Sequence, residues 1–148
     1  MWHGDDLLSH GFAFSLLPSD DDNEKGGKPV HVVYLSDLSK MVPETLEYIQ
    51  QHLPPTDVLI IDSLLWHKDH PVHYSLDQAV KLATDHIRPT TGTYLIGMSC
   101  DNFLPHEEMN HHLTQQYGGT IQFAHDGLPI FLPPSPLKKP VENSRPKQ

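Results

Sequence analysis

Polar residues that can bind metal ions follow three apolar segments of the chain, at the point where each segment ends. They are Asp37 after residues 30–35, Asp62 after 58–61 and Cys100 after 93–96. Carboxylate and thiolate groups bind divalent cations, and open α/β sheets place their ligands at the carboxyl ends of the strands. The pattern therefore predicts that these three residues lie at one edge of a common sheet, with His73 facing the same edge.

Two of these residues also have a simpler structural interpretation. Asp37 could cap the turn after its strand, which is a common role for aspartate. Cys100 could be an inert buried thiol, the commoner case for a single cysteine, or it could be a soft metal ligand or a reactive group. The residue types alone leave these alternatives open.

Histidine is abundant in the chain, with 12 residues, and this makes a metal site worth testing. His67, His70 and His73 recur at intervals of three in a polar loop. A proline within that loop argues against a helical ligand face, so His67 and His70 are interpreted as surface residues. His73 differs because it stands just before a helix-capping signal, which restricts its position.

The elements that must position these residues alternate between strand and helix. Ser75 and Gln78 form a capping-box pattern at the start of one helix, and Asp126-Gly127 suits a primed hairpin turn. The predicted strands are 11–17, 30–35, 57–62, 93–99, 120–124 and 128–132, and the predicted helices are 43–53, 75–87 and 105–117. The resulting order β-β-α-β-α-β-α-β-β predicts a mixed α/β layer in a single domain, residues 1–132. The proline-rich polar segment 133–148 is predicted to be a disordered tail.

Composition narrows the class of protein. The chain is 37% hydrophobic and 20% charged, as in globular proteins, and no segment is long and apolar enough to predict a membrane span or a signal peptide. A single cysteine excludes an internal disulfide and favours a reducing compartment, which predicts a cytoplasmic protein. A formal net charge of −9 argues against nucleic acid as the main partner.

Six blocks of the sequence carry a resemblance to a known family. They are YLSDLSKMVPETLEYI, DVLIIDSL, HPVHYSLDQAV, TYLIGMSCD, HEEMN and AHDGL. In order and spacing they resemble the C-terminal half of the metallo-β-lactamase-fold hydrolases, in the branch of PhnP-type phosphodiesterases, which open cyclic phosphates. The resemblance runs from about residue 3 to residue 132. It implies an αββα sandwich of two halves, with two metal ions, zinc or manganese, between their sheet edges.

The same resemblance implies roles for particular residues. His3 resembles an isolated metal-binding histidine, and Asp37 resembles the carboxylate that bridges the two metals. His73 resembles the histidine that serves as a general acid or holds the phosphate. The family has a last metal-binding histidine in a Thr-His-x-Ser-His block, where this chain has Ile-Gly-Met-Ser-Cys. Gly97 has no side chain to coordinate a metal, so Cys100 is the residue that could substitute.

The principal metal motif of the family, His-x-His-x-Asp-His, does not occur in these 148 residues. The chain is therefore expected to form half of the sandwich and a weak or partial metal site. His3 is expected to lie on a terminus that frays. The missing half is expected to leave one sheet face to be covered by a homodimer or by a partner that supplies that half.

Two functions remain open at this point. The first is metal-dependent hydrolysis of a small phosphate ester, of the phosphodiester type, in which the chain alone lacks the main metal motif. The second is a non-catalytic, truncated or remnant product that acts at most as a binding module. A nucleotide-binding α/β module is disfavoured because no glycine-rich phosphate loop follows any predicted strand.

Overall fold

A five-stranded mixed sheet forms the centre of the molecule, in the order β3-β4-β5-β6-β7. The computed structural model describes residues 1–20 and 27–130. The strands are β1 Trp2–His3, β2 Leu7–Leu8, β3 Phe12–Leu16, β4 Val30–Leu35, β5 Val58–Asp62, β6 Gly92–Ile96 and β7 Ile121–Phe123. The helices are α1 Pro43–Gln51, α2 Leu76–Lys81 and α3 His106–Tyr117, and α2 continues into a π-helical segment, Leu82–Ile87.

Strands β4 to β7 run parallel, and β3 pairs antiparallel with β4 at one side of the sheet. A parallel pair needs a crossover connection, and each of the three crossovers contains a helix. The register aligns Tyr34 with Ile60 and Ile60 with Tyr94. The carboxyl ends of β4, β5 and β6 therefore meet at one edge.

The main core lies on one face of this sheet. Strand alternation directs Val33, Leu59 and Leu95 to that face, where they pack with helix residues such as Leu76 and Met109. The predicted α/β class and mixed sheet are confirmed. A single layer of helices on a single mixed sheet is consistent with half of an αββα sandwich.

The opposite face carries no helix in the described part of the chain. Val32, Val58 and Tyr94 form a smaller buried cluster on it. Towards β3 this face opens to solvent, where Phe12 is 63% exposed and Phe14 is 49% exposed. The sheet therefore has one packed face and one partly open apolar face.

The first residues of the chain make contacts with the rest of the fold, although His3 was expected to lie on a terminus that frays. Met1 is buried in the main core, and β1 pairs with β2. Trp2 also forms a bridge to Lys40, and its carbonyl accepts a hydrogen bond of 2.7 Å from the Ser39 N–H. Burial of one side chain and pairing of the main chain together fix the position of His3.

The remaining predictions about individual elements agree with the structure in part. The predicted capping box at Ser75 and Gln78 is present. The predicted hairpin at the end of the domain is wrong in its second strand, since residues 128–130 form no strand and 131–132 lie outside the described residues. β7 instead pairs in parallel with β6 because the α3 crossover returns it in the same direction. The predicted tail 133–148 also lies outside the described residues.

None of the helices in the described ranges is both long and apolar enough to cross a lipid bilayer.

Candidate metal centre

The carboxyl ends of the parallel strands bring the predicted residues to one edge of the sheet. Asp37 follows β4, Asp62 ends β5, and Cys100 lies in the turn beyond β6. Because β4, β5 and β6 are parallel and in register, the predicted common edge is confirmed. Which side chains converge there depends on the loops.

Asp37 occupies an unusual backbone conformation. Its φ is 53°, in the left-handed region that most residues other than glycine avoid and that aspartate tolerates better than most. The next residue, Leu38, is completely buried. The turn therefore buries Leu38 while the Asp37 side chain stays 67% exposed and accessible to a cation or a substrate.

His73 is held by Asp62. The Nδ1–H of His73 donates to Asp62 Oδ2 at 2.6 Å, and the two side chains are only 22% and 5% exposed. This hydrogen bond leaves Nε2 as the His73 nitrogen with a free lone pair. Burial raises the pKa of the Asp62 carboxyl above its usual value, and the hydrogen bond from His73 opposes that shift.

Gly97 lies directly against the Asp62 carboxylate. A Cβ at position 97 would stand 2.6 Å from Asp62 Oδ1, and the φ of Gly97 is 76°. Both the contact and the backbone angle favour glycine here. This explains in physical terms why position 97 supplies no ligand, since the Asp62 carboxylate lies where a side chain would begin.

His3 completes the group from the N-terminal hairpin. Its ring contacts the His73 ring edge-on, with centroids 5.0 Å apart. One ligand atom from each of His3, Asp37 and His73 lies within 4.8 Å of the other two. The buried Nδ1 of His3 has no hydrogen-bond partner among the described residues.

This donor set fits a divalent cation. Two imidazoles and one carboxylate are ligands that zinc accepts, with room for a further ligand. A buried ring nitrogen without a partner is costly, and a cation would satisfy such an atom. The residues present therefore fit a zinc-like ion better than an empty polar cluster.

A comparison with solved structures returns a similar enzyme. The neighbour is described as a new diphosphatase from the PhnP family. It is 36% identical over 68% of this chain, with a TM-score of 0.53, and the match covers 35% of the neighbour. No protein-family model matches the chain, and no curated protein matches it. The chain thus spans about a third of the neighbour's length, and the likeness supports a metallo-β-lactamase-like relationship.

One predicted site residue lies apart from the group, and one contact in the site was not predicted. Cys100 is exposed and does not belong to the group formed by His3, Asp37 and His73. The direct hydrogen bond between Asp62 and His73 was not predicted, although both residues were placed at this edge. The sequence signal was present in the form of a strand-end carboxylate followed by a histidine just before a helix cap.

Proposed function

We propose that this chain provides part of the active site of a metal-dependent hydrolase of phosphate esters. In this proposal His3, Asp37 and His73 bind one zinc ion, and Asp62 orients His73. The observation that carries the proposal is the convergence of these three donors in a chain that is 36% identical to a PhnP-family diphosphatase over the matched region.

The role of each residue follows from its surroundings. A bound zinc ion lowers the pKa of a water molecule and stabilises negative charge on phosphoryl oxygens. Asp62 accepts the hydrogen bond from His73 Nδ1, which leaves Nε2 as the nitrogen for a metal ligand, and Nδ1 itself lies 3.9 Å from Asp37 Oδ1. The resemblance alone implies that His73 is a general acid or holds the phosphate. Because His73 lies close to His3 and Asp37, we propose that it is the third metal ligand.

The isolated chain is expected to bind zinc without turning over substrate. Three donors are too few to hold two cations, and the principal motif of the family does not occur in these 148 residues. We propose that hydrolysis requires further donors beyond these residues, either from a second copy or from a segment or chain that supplies the remaining part of the site. The second candidate function, a non-catalytic binding module, is favoured by the same shortage of donors.

Calorimetric zinc titration tests the cation site. The paired substitution His3→Ala with Asp37→Ala is expected to abolish one equivalent of zinc binding, and His73→Ala alone is expected to weaken it. The matched control is His67→Ala with Asp77→Ala, which removes another histidine–aspartate pair whose side chains are mostly exposed. If the control loses the zinc while the first variant keeps it, the proposed site is wrong.

A hydrolysis assay separates the two candidate functions. The isolated chain, with zinc or manganese added, is expected to show no steady hydrolysis of bis(4-nitrophenyl) phosphate. Turnover that is abolished both by a chelator and by Asp37→Ala would show that the chain is active by itself. That result would favour a self-completing homodimer over a binding module.

A further inference from the structure

An open cavity of about 490 Å³ adjoins the candidate metal centre and shares His3 and Asp37 with it. Ligand cavities of small organic molecules have volumes of about 300–1,000 Å³. A phosphate group at His3 and Asp37 would therefore fill only one end of this space. The chemistry of the other walls indicates what the rest would accept.

Those walls are apolar and aromatic. Leu7 and Leu8 from β2 and Phe12 from β3 line the cavity and are 58%, 61% and 63% exposed. Phe12 pairs with Tyr34 across β3 and β4, with ring centroids 6.4 Å apart and planes inclined by 56°. Phe12 is the more exposed of the two rings and Tyr34 is half-buried, so the Phe12 ring offers a surface on which a further aromatic ring can stack.

The charge around the cavity argues against a second anionic group in it. None of the described residues that line it is a lysine or an arginine, and Asp37 contributes a carboxylate. The remaining polar groups are neutral or weakly basic, and Ser9 Oγ already donates to the Ser36 carbonyl at 2.9 Å. A diphosphate or a second phosphate would therefore find no lysine or arginine among these lining residues.

We propose that this cavity binds the uncharged aromatic group of an organic phosphate, stacked on Phe12, with the phosphate directed towards His3 and Asp37. The phosphate end of this arrangement rests on the proposed function, whereas the aromatic end rests on the cavity alone. The aromatic group can be a nucleobase or a simple aryl ring, because both present a flat apolar face. Phe12 then determines specificity and takes no part in the chemistry.

The first experiment needs neither metal nor phosphate. Adenosine and phenol are titrated separately into the chain in the presence of EDTA, and binding is followed by NMR chemical-shift changes. The chain and the variants Phe12→Ala and Phe14→Ala are compared. Phe14 is the matched control because it lies on the same strand and face and is similarly exposed, but does not line the cavity.

The chain and Phe14→Ala are expected to bind at least one of the two probes, and Phe12→Ala is expected to lose that binding. Binding of adenosine alone would identify the aromatic group as a nucleobase, and binding of phenol alone would identify it as an aryl ring. Binding of both probes would show that the cavity accepts either group. Absence of binding by both probes, or equal binding to all three proteins, would overturn the proposal.

The second experiment tests whether the phosphate group of an aromatic ester binds at His3 and Asp37. With zinc present, phenyl phosphate is expected to bind the chain about three- to tenfold more tightly than methyl phosphate, the range for one aromatic contact. Phe12→Ala is expected to remove this preference and leave methyl phosphate unaffected. If the aromatic probes bind as expected but neither phosphate ester responds to zinc, the proposed function fails while the aromatic cavity stands. If both esters bind equally, the cavity assignment fails while the phosphate site stands.

Discussion

The same pair of side chains occurs in two places in this molecule, with different consequences. His73 Nδ1 lies 2.6 Å from Asp62 Oδ2, and His67 Nδ1 lies 2.8 Å from Asp77 Oδ2. The first pair is 22% and 5% exposed, and the second is 68% and 61% exposed. Distance alone does not distinguish them, whereas burial does.

The difference shows why one pair can organise a site and the other cannot. In solvent, each member of the His67–Asp77 pair can exchange its partner for water, so the interaction contributes about 0–1 kcal/mol. Asp62 has little such exchange available, because the residue is only 4% exposed and its carboxylate lies against Gly97. Burial therefore converts an ordinary contact into a constraint on the His73 ring, which in turn lies against His3.

The largest effect is expected from Gly97→Ala, which would break the buried arrangement. The new Cβ would meet Asp62 Oδ1, and alanine would be strained at the positive φ of this residue. We expect a loss of about 2–4 kcal/mol in the free energy of unfolding, measured by urea denaturation.

Gly118→Ala provides the matched control for this prediction. Gly118 also has a positive φ, of 62°, but no atom lies within 4 Å of the position where its Cβ would be. It should show the backbone cost alone, about 1–2 kcal/mol. Equal losses in the two variants would mean that the contact with Asp62 has no energetic weight.

A smaller effect is expected from Asp62→Asn, which tests whether the buried pair, unlike the exposed pair, affects zinc affinity. Asparagine preserves the shape but weakens the acceptor that orients His73. Loss of an orienting partner lowers metal affinity by about 10- to 100-fold, so calorimetric zinc affinity should fall within that range. Asp77→Asn should leave the affinity unchanged. An unchanged affinity in Asp62→Asn would show that the hydrogen bond to His73 does not position a ligand.

The smallest effect is expected from His67→Ala, in the exposed pair. Removing an exposed partner should change the free energy of unfolding by less than about 1 kcal/mol, because water replaces the lost contact. Chemical denaturation of this variant beside the parent chain measures the change. A loss of several kcal/mol would show that the exposed pair stabilises the fold and that burial does not distinguish it from the pair of Asp62 and His73.

Much of the fold could be predicted because it depends on local patterns. Apolar runs of strand length, a capping box at Ser75 and helix-length stripes located the central elements within a few residues. The final hairpin was predicted wrongly because the Asp126-Gly127 turn signal is local, whereas the partner of β7 is chosen by the α3 crossover. The N-terminal hairpin was missed since its strands have only two residues each and depend on contacts with Lys40 and the core.

Local residue patterns are enough to predict which polar groups stand at the carboxyl edge of the sheet. Asp37 and Asp62 each follow an apolar run, and parallel strands must present such residues on the same side. Which of these edge residues come into contact depends on tertiary packing. His3 reaches His73 because Met1 is buried and β1 pairs along Lys40, and Asp62 reaches His73 because Gly97 leaves room for its carboxylate. These contacts join residues far apart in the chain, so their formation depends on packing, which no local pattern of residue types encodes.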